Sequence, residues 1–134
     1  MNFIPVPVPE VDRIWPQVAP GFEKAIARST GDMNLGWLYQ QCRAGNIILL
    51  VVVKDKTIIG AFALRPEQGR RGTRTCIVEM WGHDFRDWQD EGIDALLALG
   101  KQCWGADALL FTGQRAYSRF SPRAREIRRI YEVK

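Results

Sequence analysis

The chain of 134 residues contains a single histidine, His83, and three cysteines with no CxxC spacing. Structural zinc needs clustered Cys and His ligands, so no metal is expected. Cys42, Cys76 and Cys103 are odd in number and each lies in an apolar-periodic stretch, which predicts reduced, buried thiols and no disulfide frame. No apolar run approaches the roughly 20 residues of a membrane helix, so no membrane partner is expected. The N-terminus, with its prolines and early acids, is unlike a signal peptide, which makes the cytoplasm the expected location. Internal repeats and low-complexity segments are missing too, and the length suits one domain over 1–134. Charge of one sign does not dominate. The net +4 is compatible with an acidic small ligand, a nucleic acid or neither.

What is present is an ordinary globular composition, 46% hydrophobic, with five Trp and six Phe to anchor a core. Phe3–Val8 can pair only as an edge strand, because Pro5 and Pro7 lack the ladder donor. Ile14, Trp15, Val18, Phe22, Ala25 and Ile26 follow the helical period, with Pro20-Gly21 expected to kink or split that helix. Thr30-Gly31-Asp32 reads as a turn and N-cap before a second helix bearing Leu35, Leu38, Tyr39 and Cys42, closed by Gly45. Asn46–Val53 is a buried strand and Lys54-Asp55-Lys56 a tight turn. Thr57–Leu64 returns as the second arm, where Gly60 marks a bulge.

Pro66–Thr73 reads as a polar loop and Arg74–Trp81 as a third long strand. Simple alternation puts Ile77, Glu79 and Trp81 on one of its faces and Cys76, Val78 and Met80 on the other. Ile93, Leu96, Leu97, Gly100, Cys103 and Trp104 form a helical stripe, and Asp107–Phe111 a short parallel strand. Gln114–Phe120 gives a final helical turn or two, and Glu126–Lys134 alternates as a last strand. The class is α+β, a mixed α/β sheet with the order (β)ααβββαβ(α)β.

The central stretch is Thr75–Gly105, a buried strand, a polar connection and an amphipathic helix. A helix N-terminus at such a junction is an anion site. Two readings of the connection stay open. In one, Gln89-Asp90-Glu91-Gly92-Ile93-Asp94 is a phosphate-facing turn. In the other, Asp87 caps a helix starting near Trp88, and Asp90 and Glu91 complement its dipole.

The segments IWPQVAPGFEKA, IIGAF, CIVEMWG, ALLALGKQCWGADALLFTG and QRAYSR carry a resemblance over nearly the whole length. The chain resembles small GNAT-like (acyl-CoA N-acyltransferase) proteins of tailed bacteriophages and prophages, and the element order is that of the GNAT fold. The resemblance implies acetyl-CoA as cofactor, held by Met80, Trp81, Gly82, Gln89, Gly92 and Ile93. It implies an amine acceptor, with Glu79 as general base, and it sets Tyr117 where the superfamily often has the acid that protonates departing thiolate. Asp90, Glu91 and Asp94 depart from the superfamily's phosphate-binding pattern by adding negative charge. Gly113-Gln114-Arg115-Ala116-Tyr117-Ser118-Arg119 keeps only part of the family's Gly-Arg-x-Gly-Trp-x-Arg run.

Flanking apolar residues should raise the Glu79 pKa by desolvation, whereas pairing with an arginine would make it structural. Two function classes follow: an N-acetyltransferase, or a non-enzymatic module that binds a protein partner as a phage accessory or virion-associated protein. A third, nucleic-acid binding, rests on Arg115, Arg119, Arg123, Arg125, Arg128 and Arg129 near the C-terminus and Arg70, Arg71 and Arg74 in the earlier loop.

Overall fold

Alternating branched and aromatic residues build a five-stranded sheet whose spatial order, β1 to β5, follows the chain. The computed structural model describes residues 1–29, 33–112, 122–127 and 131–134. β1 (Asn2–Pro5) is the edge strand, paired antiparallel with β2 (Ile48–Lys54). β3 (Thr57–Gly69) and β4 (Gly72–Gly82) continue the antiparallel meander, and β5 (Leu109–Phe111) joins β4 in parallel. The Asp55-Lys56 turn between β2 and β3 takes left-handed backbone at both residues (φ 50 and 64), the geometry of a two-residue hairpin. An irregularity at Val52/Val53 leaves Ile59 unpaired beside Gly60, the bulge expected at that glycine.

Side chains alternate strictly between two cores. Leu49, Val51, Ala61 and Ala63 face α1 (Val11–Arg28) and α2 (Leu35–Arg43), meeting Val11, Val18, Phe22 and Leu38. Leu50, Val52, Phe62 and Leu64 face α3 (Phe85–Trp104) and meet Trp88 and Leu96. The sheet is thus sandwiched, and each helix buries one stripe. In α3 the buried positions are Trp88, Gln89, Gly92, Leu96 and Gly100, so Cys103 falls outside the stripe and is exposed. Only Cys42 is fully buried, its thiol pushed up to about 11 by desolvation; Cys76 is half-buried.

α1 is not split. It runs unbroken through Pro16 and Pro20, and Gly21 lets it lie directly on the indole of Trp81. A Cβ at Gly21 would sit well inside contact distance of Trp81 Cδ2 and Cε2. Gly→Ala in an open helix gains about 1 kcal/mol. Here overpacking by roughly 1–3 kcal/mol outweighs that gain. Gly21→Ala should therefore lower the urea midpoint, and an unchanged or higher midpoint would show that the ring has room to move.

Three other expectations change. The cap of α2 is Asn34, whose side chain accepts from Trp37 N at 2.9 Å; Thr30, Gly31 and Asp32 lie outside the described residues. Pro66–Thr73 is no loop, since β3 and β4 pair all the way to Gly69–Gly72. Pro66 is tolerated because β2 pairing stops at Leu64, so its side of β3 demands no ladder donor. Finally, residues 122–127 and 131–134 form no strand, while Gln114–Phe120 and residues 128–130 lie outside the described residues.

Candidate functional site

β4 carries the candidate site because, among the described residues, it has a partner on both sides for only part of its length. Pairing with β5 covers Thr75–Leu109, Cys76–Leu110 and Ile77–Phe111, and then stops. β4 runs on for five residues to Gly82, still bonded to β3 but with no β5 partner among the described residues. A bulge falls at the same point: Leu64 pairs with Ile77 and Ala63 with Glu79, leaving Val78 as the extra residue. Bulges bend and twist a strand locally, so β4 turns where its parallel neighbour ends. The outcome is a splay whose β4 wall presents backbone groups without a ladder partner on that side.

The same bulge re-sorts the side chains. Alternation places Glu79 with Ile77, but Ile77 and Met80 pack on the α3 side with Leu64 and Phe62. Val78 and Trp81 pack on the α1–α2 side, and Glu79, directly opposite Ala63, shares that side. Directly opposed residues of an antiparallel pair point to the same face. Glu79 is half-buried and its pKa is raised: desolvation is the dominant cause, offset in part by the backbone N–H of Met80, which donates to Oε1 at 3.2 Å. Among the described residues no arginine or lysine pairs with it.

Beyond Gly82 the chain needs only His83 and Asp84 to enter α3. His83 N donates to Ile59 O, and His83 O accepts from Trp88 Nε1 at 2.8 Å, so the turn is tied to both sheet and helix. Asp84 takes left-handed backbone (φ 54) and its carbonyl accepts from Asp87 N. Helix α3 therefore starts at Phe85, earlier than the Trp88 start inferred from Asp87 as cap. Gln89, Gly92 and Ile93 lie inside the helix, where backbone N–H groups belong to the i to i−4 ladder. Gln89 is buried, and a Cβ at Gly92 would meet Trp88 and Phe3, so this glycine serves packing. The first-turn amides with no partner in the helix ladder belong instead to Phe85 and Arg86, since Asp87 N donates to Asp84 O.

Of the other expected site residues, Met80 sits under α3 and Trp81 under α1. Gly82 lies against Trp88, whose ring would stand only 2.6 Å from a Cβ at that position. The Trp81 Nε1 is buried without a hydrogen-bond partner among the described residues. His83 is exposed with its ring edge-on to Trp81 at 5.4 Å. Tyr117 lies outside the described residues. Among the described residues no group of His, Cys, Asp or Glu could hold a metal ion, and no helix is long and apolar enough to cross a membrane. Sequence reasoning missed the bulge, which leaves no mark in the apolar and polar pattern of β4 itself.

The overall fold is shared with solved structures. A probable acetyltransferase superposes with TM-score 0.72 at 10% identity, covering 100% of this chain and 97% of that one. The chain has the GNAT fold. A predicted acetyltransferase from Clostridium acetobutylicum, solved with acetyl-CoA, gives TM-score 0.68 at 7% identity, with 99% and 95% covered. An aminoglycoside acetyltransferase from an uncultured soil metagenomic sample gives 0.61 at 15% identity, with 99% and 96% covered. No family model matches the chain, and no curated protein matches its sequence. GNAT here is a statement about fold, supported over the full length.

Proposed function

We propose that the chain is an acetyl-CoA-dependent N-acetyltransferase acting at the β4–β5 splay. The observation that carries this reading is the half of β4 that has no β5 partner among the described residues, with Glu79 desolvated at its bulge and no cation of the described residues neutralising it. The donor set fits the group. An extended chain bearing amides can pair with the backbone of Met80 to Gly82 as another strand would, and pyrophosphate suits the start of α3, at the amides of Phe85 and Arg86. Gln89, Gly92 and Ile93 then act by fixing that turn through the helix body. Support also comes from the neighbour solved with acetyl-CoA.

Acetyl-CoA supplies an activated thioester. Glu79 takes the proton of the acceptor amine, directly or through one water, as the nitrogen attacks. Its raised pKa makes it a better base than an exposed carboxylate. Tyr117 is assigned the proton for the leaving thiolate, by resemblance to the superfamily. An amine acceptor is in line with the aminoglycoside acetyltransferase neighbour. The phage and prophage resemblance of the segments IWPQVAPGFEKA and CIVEMWG supports a setting in the cytoplasm of an infected or lysogenic bacterium.

Calorimetric titration with acetyl-CoA and with CoA at moderate salt tests the reading. Saturable binding in the micromolar range is expected, weakened about tenfold or more by Arg86→Glu, the scale of one lost charge-assisted hydrogen bond. Absence of heat up to millimolar ligand would overturn it.

A further inference from the structure

The β3–β4 pair runs past the end of β2, and its last three residue pairs run past β5 as well. β2 pairing ends at Ile48–Leu64 and β5 pairing begins at Thr75–Leu109, yet Glu67–Gly69 continues against Gly72–Arg74 for three more residue pairs, about 10 Å at strand rise. Its base is held by β5 and by Asp107 N, which donates to Thr73 O at 3.4 Å. The ribbon closes in Gly69-Arg70-Arg71-Gly72, where Gly72 takes the left-handed backbone (φ 128) and leaves both arginines exposed at the tip. Four arginines (Arg65, Arg70, Arg71 and Arg74) stand against one carboxylate in the ribbon, Glu67, which sits opposite Arg74. Asp107 is the other acid near the base. Among the described residues neither Arg70 nor Arg71 makes an ion pair.

We propose that this arginine-tipped two-stranded ribbon is a binding arm for duplex DNA, seated in the major groove. The exposed ribbon positions are Arg65, Pro66, Gln68, Arg70 and Arg71. They include no aromatic to stack unpaired bases, so a single strand is not the ligand. Nor do they include the large apolar anchors that dominate protein interfaces. What remains is guanidinium recognition of phosphate. Two strands about 4.8 Å apart fit a major groove about 12 Å wide, whereas the A-form RNA major groove is too narrow to admit them. The arm lies at the Gly72 end of β4 and the splay at the Gly82 end, so the two sites do not compete for the same surface.

Fluorescence anisotropy of the full chain with a labelled 20-base-pair DNA duplex, across a salt series, tests the proposal. With three arginines on phosphates the log–log salt slope is expected near −2.7, about a fortyfold loss between 50 and 200 mM. The Arg70→Ala/Arg71→Ala double variant should bind at least tenfold more weakly at 50 mM, with a slope nearer −0.9, and keep the wild-type thermal midpoint. No binding at 50 mM would overturn the proposal, as would a double variant that binds like wild type. Equal affinity for an RNA duplex or a single strand would remove the major-groove seat. Displacement by poly-glutamate at equal charge would point to an acidic protein instead and equally overturn it.

Discussion

Trp88→Ala should cost about 3–5 kcal/mol of stability, the range for removing a buried tryptophan. The indole is 2% exposed and meets Phe3 of the edge strand, Phe62 of the central strand and Phe85 of its own helix, with centroids 6.1, 6.2 and 5.0 Å away. Gly82 and Gly92 are small because the ring occupies the space their side chains would take, and at Gly60 the ring adds to the closer Trp81 carbonyl. Its Nε1 also ties the His83 turn through the 2.8 Å bond. A domain of this size has only about 5–15 kcal/mol in total, so a large share of the native state's stability would go. Urea denaturation read by far-UV circular dichroism measures it. A loss under about 1 kcal/mol would mean that the α3–sheet core repacks around the hole.

Glu79→Gln separates the chemistry from the fold. As the proposed base, Glu79 is expected to account for roughly 10²–10⁴ in kcat/KM, measured with acetyl-CoA and an aminoglycoside amine as probe. In the wild type the rate should rise with pH as Glu79 deprotonates, above the ordinary carboxylate range because its pKa is raised by desolvation. That limb should vanish in the Gln variant. Stability moves the other way. A raised folded-state pKa means the folded form holds its proton more tightly than the unfolded, so this group's favourable contribution is present below the unfolded pKa and is lost as pH rises through the folded one. At neutral pH the Gln variant should therefore be at least as stable as wild type. A variant that keeps its rate would make Glu79 structural; one that loses rate and stability together would make it a packing residue.

Much of the fold was legible because periodicity is a local signal. The Asn46–Val53 run and the Gly45 cap lie where their residue types require, and of the expected α3 stripe Leu96 and Gly100 are buried and Trp104 packs beside them, while Cys103 is exposed. The differences arise where a neighbour decides. Pro66 would break a strand only if β2 extended beside it, and it does not. The α1 helix survives Pro20-Gly21 because Trp81 and the sheet receive it. Asp87 resembles an N-cap, yet the helix begins at Phe85 because the Trp88–His83 bond and the left-handed Asp84 set its start. For the proposed site, residue type and position on β4 single out Glu79; it shares a face with Trp81 as alternation expects, but not with Ile77. One extra residue in a strand reverses everything after it, and that count is fixed by the partner strand, which no single-strand pattern contains.

The two prolines inside α1 have a thermodynamic corollary. Each removes one backbone donor from the ladder and costs an isolated helix about 3 kcal/mol. No 18-residue segment so interrupted holds helical shape in water by itself. The stripe of Val11, Trp15, Val18 and Phe22 buried on the sheet is what sustains it. Helix and sheet consequently melt as one cooperative unit, with no partly folded state in which α1 outlasts the strands beneath it.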